Sequence, residues 1–304
     1  SIFVGSIQVA LTFLIGYAAS SYFGFDQITS FYMGLVLAFS STMVVIKLLS
    51  DKEELDTLHG RIVIGILIMQ DILVIMALSA LSSLDNLNFF TSAITLLKAV
   101  ALFIFVILVT RYVLGGLFRF AAKFRELLFL LSITLAFVFS LISFGMGFSI
   151  SIGAFLAGVA LANLPYNYDI IGRIRPLKDF FSTIFFVTLG MQLVPINFNL
   201  TYILVFIGIV LLIKPLILMI LISLFGYEKR IAFISSISLA QVSEFSLIMV
   251  SLGFYTYNII SQEFFSLVVF ITIITMLLTS YIMKGDKFLY QHMSKWLTIF
   301  EKLN

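Results

Sequence analysis

RIVIGILIMQDILVIMALSAL, residues 61–81, is an apolar run of membrane-spanning length with an amide and an acid, Gln70 and Asp71, at its centre. A stretch of about 20 apolar residues crosses a hydrocarbon core as a helix. A carboxylate at that depth costs about 3 kcal/mol or more unless it is paired, hydrated in a cavity or protonated. A neutral acid can serve as a simple packing hydrogen bond between helices. The stronger reading is a site for a proton or a cation, because intramembrane acids mark transport pathways.

The rest of the chain has the same solvent preference. Of its residues 62% are hydrophobic and 11% charged, against roughly 45–50% and about 25% in a soluble domain. This composition predicts an all-α, polytopic membrane protein. The uniform apolar runs exclude a β-barrel, whose strands alternate over about ten residues. Helices are expected near 3–22, 28–50, 59–82, 91–116, 126–146, 150–164, 180–194, 201–224, 230–252 and 262–283, about ten spans in all. The sixth and seventh are short.

Charge sets the expected orientation. Lysines and arginines fill the connections near 51–61, 111–125, 173–178 and 229–230, whereas those near 23–30, 83–90, 145–149, 195–200 and 253–261 carry none. The positive-inside rule therefore predicts that the chain starts outside and ends in the cytoplasm. The formal net charge of +3 belongs to membrane-facing loops and does not point to nucleic acid. With no cysteine, disulfides and thiolate metal sites are excluded. The opening SIFVGSIQVALTF has neither an initiator methionine nor a basic leader and reads as the middle of a protein.

Two further segments place polar groups at depth. AFSSTMVV (38–45) holds Ser40, Ser41 and Thr42, and SLAQVSEFSLI (238–248) holds Gln241, Ser243, Glu244 and Ser246. Serine and threonine alone often bond back to the preceding turn; Glu244 demands more. Both segments are candidates for broken helices, whose freed backbone groups can face an ion. Lys214 lies mid-span directly before Pro215, which is expected to bend its helix. If Lys214 points inward, Asp71 or Glu244 is the expected partner; the alternative is a lysine snorkelling to the interface. Lys98 lies in the outer half of its helix and is read as snorkelling. The small residues of GAFLAGVALAN (153–163) predict close helix contact.

These segments carry a resemblance. SSTMVVIKLLSDKEELDTLHGRIVIGILIMQDILVI (40–75), GAFLAGVALAN (153–163), PLKDFFSTIFFVTLGMQL (176–193) and SLAQVSEFSLI (238–248) together resemble the membrane domain of the monovalent cation/proton antiporters of the second cation-proton-antiporter superfamily. The potassium-efflux branch is especially similar. The resemblance implies inverted repeats, two crossed discontinuous helices broken at Ser40–Thr42 and Gln241–Ser243, a dimerisation domain and a homodimer in the cell membrane. Asp71 then matches the carboxylate that alternately binds proton and cation. Gln70 stands where sodium-selective electrogenic relatives often carry Asn or Asp, and Lys214 matches a basic residue beside the site.

Residues 1–283 would form the exchanger domain without its first helices, and 284–304 a short amphipathic cytoplasmic tail. The expected function is antiport of K+ or Na+ against H+ by alternating access, with a slight lean to potassium. Asp71, Gln70, Thr42, Ser41 and Ser243 are the candidate cation ligands, and Asp71, Lys214, Glu244 and Gln241 the candidate coupling residues. One titrating carboxylate gives one-for-one, electroneutral exchange. No enzyme activity, cofactor, nucleic acid or soluble partner is expected, and the bilayer is the expected environment. The chief alternative is a potassium channel or channel-like efflux system on the same fold; a non-transporting scaffold is disfavoured by the buried charges.

Overall fold

The computed structural model describes residues 1–81, 89–191 and 200–293. The chain divides into two compact units, one of Ser1–Val74 with Leu189–Asn304 and the other of Ile75–Thr188.

In the first unit α1 (Ile2–Tyr22) and α2 (Gln27–Ala38) form an antiparallel pair joined by a short turn. Asp26 starts α2, accepting from the amides of Ile28 and Thr29 at 3.1 Å each, and so satisfies two of the helix's orphan donors. The chain then extends through Phe39 and re-enters helix as α3 (Thr42–Asp51). The expected span 28–50 is therefore two half-helices. α4 (Leu58–Leu81) carries Asp71.

The second unit holds α5 (Phe89–Val109), α6 (Gly115–Ala121), α7 (Arg125–Gly145) and α8 (Ile150–Ala162), and most of α9 (Asn167–Met191). Its core gathers Leu102, Phe118, Leu135, Phe139, Ala157 and Leu161. Returning to the first unit, α10 (Leu200–Gly208), α11 (Lys214–Leu224), α12 (Lys229–Ser238), α13 (Glu244–Ser251), α14 (Gln262–Lys284) and α15 (Asp286–Met293) complete the described chain. Its core brings Val45 and Leu49 of α3 against Val63 and Ile66 of α4, Leu218 and Ile222 of α11 and Ala232 of α12.

Seven helical segments among the described residues are long and apolar enough to cross a membrane. Large apolar side chains such as Leu141 (68% exposed) and Leu212 (72% exposed) lie on their outer faces, as lipid contact requires and water contact would not favour. The segments 150–162 and 244–256 are apolar but shorter.

The largest departure from expectation concerns the seventh span. Its helix begins at Asn167, not near residue 180, so the basic stretch 173–178 expected as a connection is helical and Pro176 lies inside α9. Apolarity marks where a helix meets lipid, not where it starts, and here a polar length precedes the apolar one. The end of that span at 192–194, the connections 83–88 and 195–199, and Lys295, Trp296, Leu297, Ile299 and Phe300 of the expected amphipathic tail lie outside the described residues. Within the tail, α15 is tied down by Asp286, which lies 2.5 Å from Lys52 at the end of α3.

Pro215 is preceded by a specific backbone device. Residues Ile209–Ile213 form a π-helical turn directly before Lys214–Pro215. A wider turn accommodates the missing proline donor and its ring.

The small-residue segment works at one glycine and not another. A Cβ on Gly153 would overlap the carbonyl oxygen of Phe139 and the Cα of Ser140 on α7, whereas one on Gly158 would meet nothing within 4 Å. Gly153→Ala is thus expected to cost about 1–3 kcal/mol by overpacking, while Gly158→Ala, with room for its Cβ inside a helix, keeps the parent stability or gains about 0.5–1 kcal/mol. Thermal melting of the two variants in detergent checks this; equal melting would contradict the assigned α7–α8 contact.

Candidate functional site

Breaking a helix inside a membrane exposes backbone groups that water cannot satisfy, so each needs a protein partner. The break after α2 finds four. Ala38 O accepts from Gln8 Nε2 at 3.0 Å, Phe39 O from Lys214 Nζ at 2.8 Å, Ser40 N donates to Gln70 Oε1 at 2.9 Å, and Ser41 O accepts from Gln241 Nε2 at 3.3 Å.

The break after α12 is satisfied in the same way. Leu239 O accepts from Ser40 Oγ at 2.8 Å, Ala240 O from the Thr279 hydroxyl, Gln241 O from Lys214 Nζ at 2.9 Å, and Val242 N donates to Thr275 Oγ1 at 3.3 Å. The two breaks meet, because Ser40, Gln241 and Lys214 each reach from one to the other or bind both. Ser246 Oγ adds a bond to Val36 O at 3.0 Å.

Lys214 is fully buried. Sequence reasoning expected Asp71 or Glu244 as its partner, yet it donates to two backbone carbonyls, and among the described residues no carboxylate lies within salt-bridge distance of it. The physical reason lies in the half-helices. Each helix C-terminus carries about half a negative charge, so the ends of α2 and α12 together offer about one elementary charge to the amine between them. A buried lysine at a double helix end needs no acid. Lys98, by contrast, is exposed, as a snorkelling lysine would be.

The positive helix ends face the acids. Ser41 caps α3, accepting from Val44 N at 3.2 Å, and Ser243 caps α13, accepting from Phe245 N at 3.1 Å. Just inside the first cap, Thr42 Oγ1 lies 3.0 and 3.1 Å from the two carboxylate oxygens of Asp71 and donates to them. The next residue, Met43, presents its amide to Glu244 Oε1 at 3.4 Å. Three consecutive residues, Ser41, Thr42 and Met43, therefore touch Gln241, Asp71 and Glu244 respectively.

Burial divides these groups into two sides. Gln70, Lys214, Gln241, Ser41 and Ser243 are fully or almost fully buried, whereas Asp71, Thr42, Met43 and Glu244 are half-buried. The dry side holds the breaks in place. The wetter side offers carboxylate and hydroxyl oxygens, the hard ligands that suit monovalent cations. One oxygen on each side has no hydrogen-bond partner, Gln241 Oε1 on the dry side and Glu244 Oε2 on the other. No group of three or more His, Asp and Glu is placed to hold a resident metal ion among the described residues.

The candidate residues read from sequence are thus brought together, but Gln70 faces Ser40 N and its own partner on α1. Sequence reasoning missed that partner, Gln8, and missed Thr275 and Thr279. Gln8 and Thr12, four residues apart in an otherwise apolar helix, lie on one face and were the available signal.

Comparison with known proteins gives a consistent result. A family model described as sodium/hydrogen exchanger, transmembrane, matches residues 1–284. YbaL of Escherichia coli (strain K12) is 32% identical over 263 residues, covering 81% of this chain and 47% of YbaL. The K(+) efflux antiporter 6 of Arabidopsis thaliana is 27% identical over 259 residues, covering 81% of this chain and 43% of that protein. The Na(+)/H(+)-K(+) antiporter GerN of Bacillus cereus is 25% identical over 281 residues, covering 91% of this chain and 72% of GerN. The chain therefore spans less than half the length of the first two.

Proposed function

The chain belongs to the transmembrane sodium/hydrogen exchanger family, a family of transporters and not of enzymes, and from that premise we propose that it exchanges K+ or Na+ for H+ by alternating access. The observation that carries the proposal is the pairing of half-buried Asp71 with Thr42 at the mouth of a helix break. In one state Asp71 and the Thr42 hydroxyl oxygen bind a partly dehydrated cation, helped by backbone carbonyls of the breaks. In the other, Asp71 carries a proton and the cation has left.

Ser41 and Ser243 contribute by fixing the half-helix ends beside the ion. Glu244 and Gln241, each with an unpartnered oxygen, supply further polarity at the breaks. Gln70 holds the break next to Asp71. Lys214 ties the two breaks together through Phe39 O and Gln241 O, and Asp71 is the group that takes up the proton or the cation. One carboxylate holding either one proton or one monovalent ion makes exchange one-for-one and electroneutral.

The two breaks are read as the crossing pair of an inverted repeat. The protein is proposed to act as a homodimer in the cell membrane, with residue 1 outside and the tail in the cytoplasm.

Competition for one carboxylate has a kinetic signature. As pH falls on the cation-loading side, the apparent KM for the cation rises while the maximal rate at saturating cation is retained. Proteoliposomes of the full-length protein, assayed for pH-gradient relaxation on addition of K+, Na+ or Li+, test this. A maximal rate that falls with pH at unchanged KM would contradict a shared site. Voltage-driven cation flux without proton movement would identify a channel instead.

A further inference from the structure

Gln8 belongs to none of the ligand groups above, yet it ends a hydrogen-bond chain that reaches the residue beside Asp71. Its Nε2 donates to Ala38 O at 3.0 Å and to Thr12 Oγ1 at 3.1 Å, and its Oε1 accepts from Gln70 Nε2 at 2.5 Å. Gln70 Oε1 then accepts from Ser40 N at 2.9 Å. Gln8, Thr12, Gln70 and Ser40 are all almost wholly buried.

The chain has only one permitted polarity. The oxygen and nitrogen ends of a glutamine amide are nearly isosteric, so their orientation follows from their partners. Here one terminus is a backbone carbonyl, which can only accept, and the other a backbone amide, which can only donate. Ala38 O requires the nitrogen of Gln8. That turns the oxygen of Gln8 to Gln70, requires the nitrogen of Gln70 in reply, and leaves the oxygen of Gln70 for Ser40. The termini are the two backbone groups that flank Phe39 in the break, so the same chain pins the break and fixes the amide adjacent to Asp71.

We propose that Gln8 is a positioning residue for cation discrimination: from α1 it locks the Gln70 amide and the Ala38–Ser40 break, and thereby sets the distance at which Asp71 and Thr42 meet the ion. This inference rests on the exchange reading above. Without the Gln8 amide, Gln70 Nε2 has no acceptor on that side and its orientation is free to change. The break then relaxes, and an ion site tuned by small differences in oxygen spacing no longer ranks K+ and Na+ as before. Gln8 itself need not touch the ion.

The test compares apparent KM for K+ and for Na+ in proteoliposomes of the full-length wild type, Gln8→Met and Gln8→Glu, with melting temperature as a folding control. Gln8→Met keeps the length of the side chain and removes both polar ends. Its KM ratio is expected to shift about three- to tenfold, the effect of one net hydrogen bond on a binding constant. Gln8→Glu in its acid form has one donor and one acceptor and completes the same chain; it is expected to keep the wild-type ratio at low pH and to lose it as the acid ionises.

A folded, exchanging Gln8→Met with an unchanged ratio would overturn the proposal. Should that variant fail to fold, a ratio in Gln8→Glu that departs from wild type at low pH, where the neutral acid completes the chain, overturns it equally. Wild type that shows no exchange would overturn the function itself, a result distinct from either of these.

Discussion

Asp71→Asn yields a folded protein in which cation addition no longer moves protons, its signal falling to that of empty vesicles. The substitution is nearly isosteric. Thr42 Oγ1 donates to either carboxylate oxygen of Asp71, and the amide oxygen of asparagine accepts the same bond, so little packing is lost. The Thr42 bond itself is worth about 1 kcal/mol and is retained. What disappears is the group that can hold either a proton or a charge-compensated cation. The change in transport is therefore out of proportion to the change in melting. Cation-dependent proton movement that survives in Asp71→Asn would assign the coupling to another acid, with Glu244 the first to examine.

Lys214→Met reverses that pattern. Its Nζ donates to Phe39 O and Gln241 O, and methionine supplies a similar volume with no donor. Two buried carbonyls then lack partners, at about 1–3 kcal/mol each, and the facing negative helix ends lose the charge between them. The breaks that Lys214 ties together should separate or trap water. Thermal melting of the full-length protein in detergent is expected to drop by several degrees, well beyond the change in Asp71→Asn. Melting equal to wild type would mean that the breaks are held without the amine. Together the two variants separate the group proposed to exchange proton and cation from the group that ties the two breaks together.

The contrast also explains what was legible in the sequence. Helix positions followed from apolar runs, and Asp71 from an acid at mid-span. The breaks were signalled by Ser40–Thr42 and Gln241–Ser243, residue types that cap helices and compete for backbone bonds. The partner of Lys214 was not legible, because carbonyls freed by a break leave no trace in side-chain identity. Only when both breaks are seen to end at one point does an amine without an acid make sense. The start of α9 was hidden for a related reason: Arg173, Arg175 and Lys178 are good helix formers, but their charge marks a region outside the apolar run. Gln8 was visible as a polar residue in an apolar helix, yet its role depends on Ala38 and Gln70, 30 and 62 residues away.

The central claim is that Asp71 holds a proton or a cation and never both. The most direct measurement is proton release during titration of the purified, full-length protein in weak buffer with KCl or NaCl, set beside Asp71→Asn. At a pH low enough that the apparent cation KM still rises about tenfold for each further unit of acidification, release of one proton for each cation bound, absent in the variant, is the predicted result. Cation binding that releases no proton, or release that persists undiminished in Asp71→Asn, would contradict it.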